Sequence, residues 1–124
     1  MIDFTNGSLV KLSQIDVNSV DSRITAILAK GETVHFATKG VRDSVAFTSK
    51  RIIVMDVQGV TGKKTDITTL PYSKISAYSV ESAGTLDMDS EVDVYISGVG
   101  KLRFEFSRGT DTAGINQVLA HYVL

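Results

Sequence analysis

Ile52, Ile53, Val54 and Met55 form an unbroken apolar run within AFTSKRIIVMDV, residues 46 to 57. Successive side chains of an extended chain point to opposite faces, so this strand is apolar on both sides whichever one meets the core. With Ile52 and Val54 turned inward, Ile53, Met55 and Val57 face outward beside Ala37 and Ala46. Monomers rarely leave a contiguous apolar patch in water. The outer stripe therefore needs a cover, either the helix that precedes the strands or a neighbouring subunit, and the fold must be layered around a sheet.

The same two-residue period runs from about 32 to 107, and pairing follows from keeping each apolar set on one face. Phe36 opposite Val45 and Val34 opposite Phe47 leave Gly40 and Val41 as a two-residue turn, with glycine first as a type II′ hairpin requires. Lys39 then faces Arg42. Phe47 opposite Ile52 and Val45 opposite Val54 make Ser49 and Lys50 the next turn. Around Gly98, Val99 and Gly100, Ile96 meets Leu102, Val94 meets Phe104 and Val92 meets Phe106. Seven antiparallel strands result, near 32–39, 42–48, 51–57, 64–70, 74–82, 90–97 and 101–107.

Two amphipathic helices bracket the strands. Residues 18–31 offer Asn18 or Ser19 as a cap, Val20, Ile24, Ile27 and Leu28 at helical spacing, and Gly31 as a stop. Near the C-terminus Thr110 or Asp111 caps a stripe of Ile115, Val118, Leu119, Tyr122 and Val123. The expected class is mainly β with α: two near-orthogonal antiparallel sheets, or a partly open barrel, closed at one end by the C-terminal helix.

At 124 residues the chain makes one domain, 1–124, with a single core. A formal charge of -1 and a pI near 6.1 argue against a nucleic-acid binder, which needs a cationic excess. With no cysteine, disulfides and thiolate metal sites are excluded and a reducing, cytoplasmic setting is expected. There is no basic segment followed by an apolar one at the start, and no run long enough to span a bilayer. The two histidines, His35 and His121, belong to no catalytic pattern, and no phosphate-binding glycine loop occurs. We therefore expect no enzyme, no cofactor and no metal.

Two charged groups stand out. In a meander alternate turns share an end, which gathers Lys39, Arg42, Lys63, Lys64 and Lys101 at one mouth of the barrel as a candidate anion site; ordinary solvated loop-tip lysines explain them more simply. Lys50 and Arg51 read as exposed cations at an edge turn, which discourage stray strand pairing. In LDMDSEVD, Asp87, Asp89, Glu91 and Asp93 alternate and so share a face. An EF-hand is excluded, because its sixth position lacks Gly and its twelfth is Gly98. With Glu81, Tyr95 and Arg103, the last diagonal to Asp93, these acids form a candidate partner-facing polar surface or a merely solvated edge.

FTNGSLVKL, VRDSVAFTSKRIIVMDVQGVTGKK, LPYSKISAYSVESAGTL and GKLRFEFSRGTD together resemble the bacterial pleckstrin-homology-like (PH-like) family of small stand-alone domains, over nearly the whole chain. The resemblance implies a bent, partly open seven-stranded barrel with a C-terminal helix. It also implies a cyclic ring, of five subunits for a chain without an extra helical hairpin, in which strands of adjacent subunits meet in a hydrophilic surface that binds a protein partner. The outward stripe Ile53, Met55, Val57 is the expected oligomer interface. The alternative is a peripheral membrane module that holds an anionic lipid headgroup at the basic mouth, where lipid-binding relatives of the superfold do; fold alone does not establish it.

Overall fold

All seven expected strands are present, and an eighth precedes them. The computed structural model describes residues 1–59, 63–81 and 89–124. The strands are β1 (Ser8–Ile15), β2 (Val34–Lys39), β3 (Asp43–Thr48), β4 (Arg51–Gln58), β5 (Lys64–Pro71), β6 (Ile75–Glu81), β7 (Ser90–Ile96) and β8 (Gly100–Phe106). A one-turn helix α1 (Ser22–Thr25) follows β1, and α2 (Thr112–Val123) ends the chain. The strands make one open sheet in the order β5-β4-β3-β2-β1-β8-β7-β6.

β1 is the hinge of that sheet. Its first half runs parallel to β8, with Leu9 beside Phe104, and its second half antiparallel to β2, with Ile15 beside Ala37. Lys11 breaks the strand with φ 55°, so the buried positions fall at Leu9 and Leu12 rather than two apart. A strand that bends between sheets makes the corner of an orthogonal packing.

The inner faces and α2 share one core, in which Phe36, Phe47, Ile52, Val54, Leu102, Phe104, Phe106, Ile115 and Leu119 are buried. Asp111 caps α2 as expected, its side chain accepting from Gly114 N–H at 3.0 Å. On the far side of β3 and β4 lies a second cluster of Ile24, Ala46, Ile53 and Met55, with Val20, Leu28, Val34, Val57 and Ile67 against it. Ile53 is 0% exposed and Met55 2%. The outward stripe is thus covered by the chain's own 20–28 segment, and Ile53 and Met55 are core residues rather than an oligomer interface; Val57 is half-buried at its margin.

That cover is not the long helix expected over 18–31. Asp16 and Asp21 each take a backbone N–H two residues on, from Asn18 at 2.7 Å and Arg23 at 2.8 Å. Two successive caps split the segment into a 3-10 turn, Val17–Ser19, and α1. The apolar spacing nevertheless serves its purpose, since Val20, Ile24 and Leu28 all meet the second cluster.

Pairing matches expectation between β3 and β4, where Val45 faces Val54 and Phe47 faces Ile52. The other two hairpins slip by two residues: Phe36 faces Phe47, and Val92 faces Phe104. A slip of two keeps every side chain on its face, so the apolar pattern is blind to it. Lys39 consequently faces Ser44, not Arg42, and Gly40 N–H donates to Asp43 O at 2.7 Å. Gly40 is not in the left-handed region; an added Cβ would sit 3.4 Å from both Leu12 Cδ2 and Val10 O, and close approach to β1 explains the glycine instead.

Arg51 is no exposed edge cation. Its Nε reaches Glu32 Oε2 at 3.0 Å and Nη2 reaches Oε1 at 3.1 Å, while Nη2 also donates to Ile27 O at 2.8 Å. Thr48 Oγ1 and Ala29 N–H complete the carboxylate's partners at 2.6 and 2.8 Å. Burial opposes ionisation of Glu32, but the Arg51 pair and those two donors outweigh it and hold the carboxyl down to about 2. The ion pair fastens the covering segment to the sheet.

Candidate interaction face

The five mouth cations do not gather at one inner mouth: Lys39 and Arg42 share an outer cleft, and Lys101 lies on the outer side of β8. Lys39 lies on the outer side of β2, in a cleft of about 470 Å³ shared with Asp21, Arg23 and Arg42. Arg42 Nη1 donates to Gly59 O at 2.9 Å and Val57 O at 3.3 Å, so its head braces the β4–β5 connection. Lys101 stands opposite Tyr95 with Arg103 and Glu105 on the outer side of β8, away from Leu102 and Phe104 in the core. Lys63 and Lys64 are exposed, Lys64 opposite Gln58.

What borders the inner side at this end is acidic. Asp43 faces Asp56, and Asp56 faces Asp66, in the same inward alternation as Val45, Val54 and Leu70. The α-amine of Met1 binds Asp66 Oδ1 at 2.7 Å. Burial, and then the neighbouring Asp56 carboxylate, push Asp43 up to about 6. Such a wall disfavours an anion on the inner side of this end.

A test follows from the sign of that shift. The folded state holds the Asp43 proton more tightly than the unfolded chain does, so stability from this group is complete below its ordinary value of 3.8 and is lost as pH rises through about 6. Asp43→Asn is expected to stabilise the protein by about 1 kcal/mol at pH 7.5, after allowing for solvent screening. The gain should vanish below about pH 4, as read from urea midpoints across the pH range.

The second charged group does assemble. On the outer side of β6, β7 and β8 three rows cross the strands: Glu81, Glu91 and Glu105; Ser79, Asp93 and Arg103; Ala77, Tyr95 and Lys101. Arg103 lies directly opposite Asp93 rather than diagonal to it, because of the two-residue slip. Its Nε and Nη2 meet the two Asp93 oxygens at 2.8 and 3.0 Å, and Nη1 reaches Glu91 Oε2 at 3.3 Å. These bonds lower Asp93 and raise Arg103 from their ordinary values. Tyr95 is 41% exposed in the adjoining row. Asp89 is exposed just ahead of β7; Asp87 lies outside the described residues.

The histidines serve the docking of α2. His35 Nε2 lies 2.7 Å from the Tyr122 hydroxyl, the two rings stack at 5.6 Å, and His121 meets Tyr122 edge-on at 4.6 Å. Among the described residues no group of three or more His, Asp or Glu could hold a metal ion, and no helix is long and apolar enough to cross a membrane. Glu32 is the residue that sequence reasoning passed over. Arg51 shares the outward alternation of Ile53 and Met55, and that placement was the available signal that a carboxylate in the cover would meet it.

Comparison with known proteins agrees with this architecture. The model of the bacterial PH domain family matches residues 3–123. Uncharacterized protein YjqA of Bacillus subtilis (strain 168) is 41% identical over 119 residues, covering 94% of this chain and 95% of that protein. Uncharacterized protein YozO of the same organism is 29% identical over 101 residues, with 82% and 87% covered. Among solved structures, a DUF1696 family protein with a pleckstrin-homology domain from Shewanella loihica PV-4 superposes with a TM-score of 0.79 at 36% identity, covering 93% of this chain and 99% of that one. A pleckstrin homology domain from Shewanella amazonensis SB2B gives 0.67 at 44%, with 90% and 91% covered.

Proposed function

Since the chain belongs to the bacterial PH domain family, we propose that it is a non-catalytic interaction module, a subunit that joins copies of itself into a ring and presents the polar side of β6–β8 to another protein. The observation that carries the reading is the pair of open sheet edges. β5 and β6 end the strand order, and β6 bears no charge from Ile75 to Val80. An edge without charge or proline is a template for another strand, which β6 meets up to Val80, while β5 leaves Ile67 to Leu70 between Asp66 and Pro71 free of both. Pairing β5 of one copy with β6 of the next is a head-to-tail contact, the kind that closes rings of any number. It also leaves the rows of β6–β8 facing outward.

Light scattering at micromolar concentration tests this. The expected mass is a multiple of the 13.4 kDa chain. Ala77→Lys with Ser79→Lys, both exposed on β6, should reduce it to one chain with an unchanged circular dichroism spectrum. A wild-type monomer would sink the ring. Headgroup binding at the mouth is the weaker reading, given the Asp43, Asp56 and Asp66 wall.

A further inference from the structure

The outer side of β6–β8 carries more acid than base: Glu81, Glu91, Asp93 and Glu105 against Lys101 and Arg103. Glu81 is directly opposite Glu91, and Glu91 directly opposite Glu105. Like charges in that relation weaken a sheet pair. Arg103 pairs with Asp93 and Glu91, whereas Glu81 and Glu105 have no ion pair among the described residues. Neither helix lies over this side: α2 adds Ile115 and Leu119 to the main core, and the α1 segment packs on β3 and β4.

The row ends in a cleft of about 340 Å³ lined by Val10, Lys11, Asp89, Glu91, Glu105 and Phe106. Val10 stands 47% exposed there, beside the bend at Lys11. The cleft thus joins an apolar wall to three carboxylates against the single cation Lys11, which still favours a long aliphatic stem ending in a cation. Farther along, exposed Tyr95 offers a ring face to a second cation.

We propose that this side docks an extended segment of another protein bearing arginine or lysine, with one cationic side chain laid along Val10 and its head between Glu91 and Glu105. The proposal rests on the interaction-module reading and names its partner's chemistry. A cationic segment relieves the repulsion within the glutamate row; an acidic segment or an anionic membrane adds to it. An extended segment can lie along the row, which crosses the strands at their regular spacing of about 4.8 Å. Arginine suits the site best, since its planar fork can pair two carboxylates at once.

The experiment is a titration of the isotopically labelled protein with an amidated hexa-arginine peptide, followed by backbone amide shifts, with hexaglutamate as the charge control. Shifts are expected in residues 10–11, 89–95 and 103–106, weakening as salt rises, and none with hexaglutamate. Glu81→Gln, Glu91→Gln and Glu105→Gln together should cut affinity at least tenfold. The substitutions remove two like-charge contacts and give up the part-exposed Arg103–Glu91 pair, which is worth little, so the variant should melt within a few degrees of wild type, and a circular dichroism melt separates lost binding from unfolding.

Absence of shifts in these strands, undiminished affinity in the triple variant, or identical shifts from magnesium chloride at matched ionic strength would each overturn the proposal. The light-scattering mass reports separately on assembly. A ring that ignores the peptide sinks only the partner's chemistry, and a monomer that binds the peptide sinks only the ring.

Discussion

Glu32→Gln should cost about 3 kcal/mol of folding stability, because it leaves the Arg51 guanidinium, only 19% exposed, without its countercharge. With a urea slope of about 1.5 kcal/mol per M, the midpoint falls by roughly 2 M. The pH dependence gives a second check. Glu32 titrates near 2 in the folded chain against an ordinary 4.5, so its contribution is complete above about pH 4.5 and disappears as pH falls toward 2. Wild type and variant should therefore converge in acid. Replacing both partners, Glu32→Leu with Arg51→Met, should recover most of the loss, since removing a buried pair whole is far milder than breaking it. If the single variant matches wild type at pH 7, the pair does not fasten residues 26–32 to β4.

Ile53→Glu should have the larger effect, a loss of about 4 kcal/mol or more, and leave the protein unfolded or molten at neutral pH. Ile53 is 0% exposed between Ala46 and Thr69, under Ile24, where the Arg51 guanidinium that reaches Thr69 is already held by Glu32. Circular dichroism melts distinguish this from an interface role. A residue that served only to join subunits would yield a folded monomer with an ordinary melting transition. A cooperative melt near the wild-type temperature would show that the 20–28 segment does not cover this side in solution.

The contrast between Ile53 and β1 shows which parts of the fold are legible in the chain. Both faces of β4 were readable as apolar, because alternation acts residue by residue. What covers the outer one was not, because Val20, Ile24 and Leu28 suit either a helix packed on its own sheet or one beside a neighbour. β1 escaped notice for a local reason: the left-handed Lys11 sets Leu9 and Leu12 three apart, which breaks the strand's period of two. The hairpins reveal a second limit. Only the β3–β4 turn was placed correctly, and the other two slipped by a pair of residues to which the pattern is indifferent.

The candidate site divides along the same line. Glu91, Asp93, Tyr95 and Arg103 lie within a single hairpin, so alternation alone puts them together. The cations came from three separate turns, and sharing an end of a meander does not settle which side of a strand each occupies. Lys39 and Lys101 turned out to face away from the interior, while Asp43, Asp56 and Asp66, spread over three strands, lined it. The Glu32 and Arg51 pair joins positions 19 residues apart, across two elements whose docking no local pattern encodes.

The bend in β1 also bears on the order of events when the polypeptide is made. Strands β2 to β5 pair with sequence neighbours, and so do β6 to β8, so each meander can zip up while the chain is still emerging. β1 can join β2 early, but its pairing with β8 must wait for the other extreme of the chain: Ser13 and Ser107, whose hydroxyls meet at 3.4 Å, are 94 residues apart. Long closures of this kind are slow. Pulse-labelled hydrogen exchange during refolding should find the amides of β3 and β4 protected before those in the first half of β1, with two half-sheets coexisting until the N-terminal strand stitches them together.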